Sequence, residues 1–267
     1  MESVRGDRGK ALFENAFPKK SLWNEIRFNN QAIDIGSRYV AWIDVMGSRK
    51  AMVNTLRNAM CFVGNLHTAV LKAELGFKDS VEIHSMTDGV YAISESFDKI
   101  TQFVTCIMRS CARCFLEDTN PQNRFMIRSG ISFGKVALSQ DMAKGFQCAT
   151  SDDKYIRNVM LGIPFVRAEQ AEHKAPPFGV YIDEEVRTQT DAALKVSWVL
   201  HRWWNQEDYN EKTFAAYFGE LVLKHLDVLK ENPIGMYSPD VKKLEEYHSS
   251  VKEYFKVIEK DGNKRES

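Results

Sequence analysis

The chain has 267 residues, 44% of them hydrophobic and 27% charged, with 36 basic and 36 acidic side chains and a formal net charge of zero. That length builds one large domain, or one domain with extensions, around a substantial core. Charge balance leaves no global pull toward nucleic acid or an acidic membrane. No apolar run approaches the roughly 18 to 20 residues of a membrane span, and the charged stretch Met1 to Lys20 departs from the signal-peptide pattern, so the sequence reads as a soluble cytoplasmic protein.

In chain order, residues 1–30 read as an N-terminal arm. Arg38 to Asp44 is a short β run, and Ser48 to Leu75 follows with Met52, Leu56, Met60, Val63, Leu66, Val70 and Leu71 at helical spacing. Val81 to Ser85 and Gly89 to Ser94 are β runs joined through Met86-Thr87-Asp88, which predicts a hairpin. Phe97 to Phe115 predicts a helix. It carries Cys106, Cys111 and Cys114, three of the five cysteines, which read as core thiols because the Cys111-Ala-Arg-Cys114 spacing has no second ligand pair for zinc. Phe125 to Phe133 and Lys135 to Leu138 are strands on either side of Gly134. The order β-α-β-β-α-β is that of a ferredoxin-like sheet, an α+β sandwich.

Further on, Asp141 to Asp153 reads as a polar loop, Phe165 to His173 as a helix stopped by Pro176-Pro177, Gly179 to Ile182 as a strand, Glu184 to Thr190 as a helical turn and Leu194 to His201 as a strand. Residues 203–267 form a C-terminal helical extension with stripes over Phe214 to Leu229 and Val241 to Ile258, expected to cover the sheet or to build a dimer contact; Trp198, Trp203 and Trp204 would help form that contact, with core packing expected for at least one of them. There is no internal repeat.

Two aspartates stand out, each ending an apolar β run: Asp44 in Tyr39-Val40-Ala41-Trp42-Ile43-Asp44-Val45-Met46-Gly47-Ser48, and Asp88 in Met86-Thr87-Asp88-Gly89-Val90. Carboxylates on neighbouring strand ends suit a hard cation such as Mg²⁺ or Mn²⁺. Alone, each also reads as a turn device, and the Ser48 and Thr87 hydroxyls read as turn caps.

These two segments resemble the metal motifs of class III nucleotidyl cyclases, and their separation of 44 residues matches that family's spacing. Arg128-Ser129-Gly130-Ile131-Ser132-Phe133-Gly134-Lys135-Val136 resembles the family's next strand pair. Gly162-Ile163-Pro164-Phe165-Val166-Arg167-Ala168-Glu169-Gln170-Ala171-Glu172 falls where its catalytic helix begins. The resemblance implies a cyclase catalytic domain over residues 31–202, with two Mg²⁺ or Mn²⁺ ions per site held by Asp44, Asp88 and the Val45 carbonyl, about 3.5 to 4 Å apart. It also implies a nucleoside triphosphate whose phosphates meet the amides of Met46, Gly47, Ser48 and Arg49 at a helix start, and a head-to-tail homodimer with composite sites. Arg49 and Lys50 would add charge, or simply be solvated.

The chain departs from the family's pattern in four places. The Asn and Arg of the catalytic helix are replaced by Val166 and Gln170, so Arg167, one turn before Gln170, is the expected substitute facing the partner's aspartates; its alternative is a surface salt bridge. The lysine and aspartate that read adenine are replaced by His84 and Val159. With that code missing, the chain most resembles the pyrimidine cyclases of bacterial anti-phage Pycsar systems, which make cyclic UMP or cyclic CMP; His84, with Tyr155 or Asn158, would meet the base, or His84 is an ordinary satisfied strand residue. A purine cyclase and a degenerate nucleotide-binding relic remain alternatives. A diguanylate-cyclase relative would carry a Gly-Gly-acid-acid-Phe hairpin, which Met86-Thr87-Asp88-Gly89 is not.

Overall fold

The computed structural model describes residues 35–145, 156, 158–189, 199–204, 211–231 and 241–256. The predicted N-terminal arm, Tyr155, Trp198 and most of the predicted strand Leu194 to His201 lie outside them. The chain falls into two compact units, Met1–Gly36 with Val136–Leu161, and Ser37–Lys135 with Gly162–Ser267.

Strand β1 (Gly36–Val45) is followed by helices α1 (Ser48–Asn54) and α2 (Leu56–Phe77), the hairpin β2 (Glu82–Ser85) and β3 (Gly89–Ser94), helix α3 (Phe97–Glu117) and strand β4 (Ile127–Val136). After these come α4 (Ser139–Gly145), α5 (Ile163–Lys174), β5 (Val180–Ile182), α6 (Glu184–Gln189), β6 (Leu200–His201), α7 (Glu211–Glu231) and α8 (Val241–Phe255). The strands form a six-stranded sheet in the order β2-β3-β1-β4-β5-β6. Its first four strands have the ferredoxin-like order that the βαββαβ pattern predicts. β1 and β2 are antiparallel to β3, whereas β4 and β5 are parallel, so the sheet is mixed.

Alternation gives the sheet two unlike faces. Tyr39, Ala41, Ile43 and Val45 of β1, Val90 and Ala92 of β3, and Ile127 and Ile131 of β4 join the hydrophobic core with α2 and α3. On α3, Ser96 caps the first turn by accepting from the Lys99 amide. The buried side of α2 is Ala59, Phe62, Leu66, Ala69, Val70 and Ala73. The large residues of the sequence stripe are not all there: Leu56, Met60 and Leu71 face solvent. Small alanines let the helix approach closely, so helical spacing was legible but the buried face was not.

The predicted helix Ser48 to Leu75 is broken at Thr55, whose backbone is extended (φ −149°, ψ 96°) while its amide closes α1 onto the Ala51 carbonyl at 2.8 Å. Asn54 and β-branched Thr55 are both weak helix formers. β4 runs unbroken through Gly134, so the two strands expected around that glycine are one. In the Val136–Leu161 segment the expected polar loop begins instead as α4. Ala137, Met142, Ala143 and Ile156 cluster there, and Ala137 bridges to Leu161.

The C-terminal helices belong to the core. Phe218 of α7 meets Phe115 and Phe178, and Phe255 of α8 meets Trp204 and Phe218. Trp203 and Trp204 are buried, and the Trp203 indole donates to the Phe178 carbonyl at 2.7 Å, so both take the core alternative and not the dimer contact. Of the helix cysteines, Cys111 is buried, Cys114 half-buried and Cys106 exposed, which corrects the core reading of Cys106. Among the described residues no helix is long and apolar enough to cross a membrane.

Helix α5 lies on the other face, pressed against β4. A Cβ on Gly130 would sit 2.2 Å from the Ala168 carbonyl oxygen and 2.3 Å from the Glu172 nitrogen, and Ser132 Oγ donates to the Pro164 carbonyl at 2.6 Å. Gly130→Ala therefore forces backbone apart. It is expected to lower stability by about 1 to 3 kcal/mol, as read from the urea unfolding midpoint.

Candidate active site

The site begins with strand register. β1 and β3 pair so that Asp44 lies opposite Gly89, which places Asp88, the last residue of the hairpin turn, beside the end of β1. The turn is closed by the Met86 amide donating to the Gly89 carbonyl at 2.9 Å. Gly89 is required for this approach, because a Cβ there would fall 2.4 Å from the Trp42 ring. At the other side of the motif Gly47 takes the left-handed conformation (φ 75°, ψ 7°) that turns the chain from β1 into α1. That turn presents Ser48, whose hydroxyl donates to Asp88 Oδ2 at 2.5 Å.

Asp44 is electrostatically the unusual member. Its carboxyl is pushed up to about 8, first by burial and then by the Glu172 and Asp88 carboxylates; the Arg128 guanidinium and the Val45 amide pull the other way. Its Oδ1 is buried without a hydrogen-bond partner. An acceptor so placed, among carboxylates, suits a hard divalent cation, and two carboxylates with a backbone carbonyl are a donor set that leaves room for substrate phosphates. Asp44, Asp88 and the Val45 carbonyl would hold it. Among the described residues no third His, Cys, Asp or Glu completes an all-protein metal cage. Bound there, a divalent cation would supply Lewis-acid stabilisation of phosphate oxygens and a lowered hydroxyl pKa.

Behind the pair lies charge that sequence reasoning passed over. Arg128, on β4, is 6% exposed and Glu172, on α5, is fully buried; Arg128 Nη2 is 2.6 Å from Glu172 Oε1, and His173 Nδ1 is 2.9 Å from Glu172 Oε2. Burial is also the largest influence on Glu172, and it raises the carboxyl's pKa. Part of the signal was present in the sequence: Arg128 shares its strand face with Gly130 and Ser132, opposite Ile127 and Ile131, and Glu172 falls one turn after the buried Ala168.

Not every expected residue keeps its role. The Met46 amide donates to the Met126 carbonyl at 2.8 Å and its side chain is in the core, so Met46 cannot bind phosphate. Gly47, Ser48 and Arg49 remain at the start of α1, where first-turn amides have no partner within the helix; Lys50 is exposed. α1 is only seven residues long, a shorter dipole than the single helix expected.

His84 is buried and pairs through Nε2 with Glu82 Oε1 at 2.8 Å. It stands opposite Tyr91, which stands opposite Trp42, forming one row across the sheet beside Asp44. Tyr91 also donates to Glu169 and meets the Phe165 ring edge-on, which ties the row to α5. Arg167 forms a half-exposed ion pair with Glu185 of α6 at 2.9 Å, while Val166 and Gln170 are exposed. Within one chain Asp44 and Asp88 are thus brought together with Ser48, His84 lies two strands away in the row through Tyr91 and Trp42, and the salt-bridge alternative for Arg167 is the one seen.

No protein-family model matches the chain, and no curated protein does. Among solved structures it is similar to a bacterial light-regulated adenylyl cyclase (12% identity over 83% of this chain and 72% of that one, TM-score 0.48). It is also similar to an adenylate/guanylate cyclase/hydrolase from Silicibacter pomeroyi (18%, 59% and 80%, 0.41) and to the guanylyl cyclase domain of the RhoGC fusion protein from the fungus Blastocladiella emersonii (12%, 58% and 82%, 0.42). At such identities the residues of the site, and not the likeness, carry the chemical reading.

A carboxyl whose pKa is about 8 folded and 3.8 unfolded holds a proton in the native state that the unfolded chain has released between those pH values. Its contribution is therefore present below about pH 4 and is lost as pH rises toward 8. In metal-free buffer, Asp44→Asn is expected to unfold at a higher temperature than the native chain at pH 8.5, with the difference shrinking toward pH 5. Calorimetry at both values checks this.

Proposed function

We propose that the protein is a divalent-cation-dependent nucleotidyl cyclase, converting a nucleoside triphosphate to its 3′,5′-cyclic monophosphate and pyrophosphate. The observation that carries this reading is the unpartnered, buried Asp44 Oδ1 beside Asp88 at the end of β1. In the reaction the 3′-oxygen bonds to the α-phosphorus as the bond to pyrophosphate breaks and the hydroxyl proton leaves. Negative charge develops at both ends of that displacement. Asp44 and Asp88 would hold the divalent cation that offsets phosphate charge, the Gly47–Arg49 turn offers amides to phosphate oxygens, and Ser48 holds Asp88 in place. Gly130 and the Tyr91–Glu169 bond keep α5 against the sheet, so that the face carrying Asp44 is shaped by rigid elements.

The finer reading is a pyrimidine cyclase working as a head-to-tail homodimer, with UTP the first substrate, CTP the second and anti-phage signalling the role. It is supported by His84 and Val159 standing where adenine-reading residues would. His84 pairs with Glu82 through Nε2, which leaves Nδ1 as the ring atom that would meet a base. In the dimer Arg167 would leave Glu185 for the partner's α-phosphate. The purine alternative keeps every step and changes only the base.

Incubation with Mn²⁺ and each of ATP, GTP, CTP and UTP, with products identified by mass, tests both levels. A cyclic pyrimidine monophosphate is expected, reduced about 10³-fold in Asp44→Ala, which corresponds to roughly 4 kcal/mol of lost transition-state stabilisation. A cyclic purine monophosphate would replace the base assignment. Nucleotide binding without turnover would mark a relic. Arg167→Ala should lower kcat while leaving Mn²⁺ binding unchanged.

A further inference from the structure

Arg128 and Asp44 are mutually complementary and yet unbonded. Arg128 Nε is buried without an acceptor and Asp44 Oδ1 is buried without a donor, and the guanidinium is close enough for its charge to act on Asp44. A guanidinium free to turn would pair with the Asp44 carboxyl and hold it ionised, because the planar fork fits the two oxygens. Its contacts go elsewhere. Nη2 is 2.6 Å from Glu172 Oε1, Nη1 donates to Tyr247 Oη at 3.4 Å, and the guanidinium carbon lies 5.8 Å from the centre of the Tyr247 ring.

Both tethers are themselves held. Glu172 is fixed by the contact of α5 with β4 at Gly130, where its own backbone nitrogen leaves no room for a Cβ. Tyr247 belongs to α8 and is 7% exposed, its ring covered by Lys243 Nζ at 5.8 Å from the centre. A buried ion pair is weak evidence for stability, since its desolvation cost rivals its attraction. This one still leaves Nε unsatisfied. A role at the site accounts for its retention better than stabilisation does.

We propose that Glu172 and Tyr247 are positioning residues that hold Arg128 away from Asp44, keeping Asp44 Oδ1 available to a divalent cation, so that the C-terminal helix α8 is part of the catalytic unit. The proposal rests on the reading of Asp44 and Asp88 as a cation site. When either tether is cut, Arg128 turns to Asp44 and competes with the cation for the same oxygen. α8 then governs cation affinity from outside the sheet, without touching the cation.

The test is an Mn²⁺ titration of the full chain followed by electron paramagnetic resonance, without nucleotide. Circular dichroism checks that each variant is folded. The native chain is expected to bind, and Asp44→Asn to lose that binding. Glu172→Gln and Tyr247→Ala should each weaken affinity by about 10- to 100-fold, the usual effect of losing an outer partner of a metal site, with Tyr247→Phe, which keeps the ring, in between. Adding Arg128→Met to Tyr247→Ala should restore native affinity, because the competitor is gone. A purely structural role predicts no such rescue.

Unchanged affinity in Tyr247→Ala, or a loss that persists in the double variant, overturns the proposal while leaving the cation site standing. Native protein without Asp44-dependent Mn²⁺ binding overturns the cation-site reading and the tether with it. If Glu172→Gln does not fold, the Tyr247 variants decide the matter alone.

Discussion

A half-buried carboxyl set beside other carboxyl groups is the constraint around which this structure is arranged. Asp44 loses water, gains Asp88 and Glu172 as neighbours, and keeps one oxygen with no donor. Uncompensated, that arrangement opposes folding, and it persists because surrounding elements leave it no alternative. Strand register sets Asp44 against Gly89, Trp42 lies where only glycine can pass, and Gly47 turns the chain away at once into α1. The strain of like charges is placed where a cation and a polyphosphate would relieve it.

The two faces of the sheet divide the labour. The face shared with α2 and α3 is apolar, and it joins the aromatic cluster of Phe115, Phe178, Trp203, Phe218 and Phe255, so the C-terminal helices are anchored in the same core as the sheet. The other face carries Asp44, Trp42, Tyr91 and His84 in strand register, with Arg128, Gly130 and Ser132 under α5. The apolar contacts lie on the first face, and the buried charges lie on the second. Arg128 connects them, because Tyr247, which touches it, sits on a helix anchored in the core.

Much of the fold was legible because its signals are local. The β2–β3 hairpin follows from two β-prone runs around Met86-Thr87-Asp88, and α3 from its amphipathic spacing. Where reading went astray, the deciding contact lies far away in sequence. Helix α2 buries alanines in place of Leu56, Met60 and Leu71 because the sheet and α3 demand close approach. Trp203 is core and not interface because the Phe178 carbonyl, 25 residues earlier, takes its indole proton. Met46 is lost to phosphate because Met126 claims its amide.

By itself, then, the sequence determined the order of elements and the placing of Asp44 and Asp88 at strand ends, since both follow from alternation and turn chemistry within a few residues. Only the tertiary structure decided that the two carboxylates meet, that Asp44 keeps a buried oxygen without a donor, and that Arg128 is drawn instead to Glu172 and Tyr247. Those outcomes depend on burial and on charges brought together from β1, β4, α5 and α8. Neither is a property of any local stretch of chain, because desolvation and Coulomb interaction depend on distance in space.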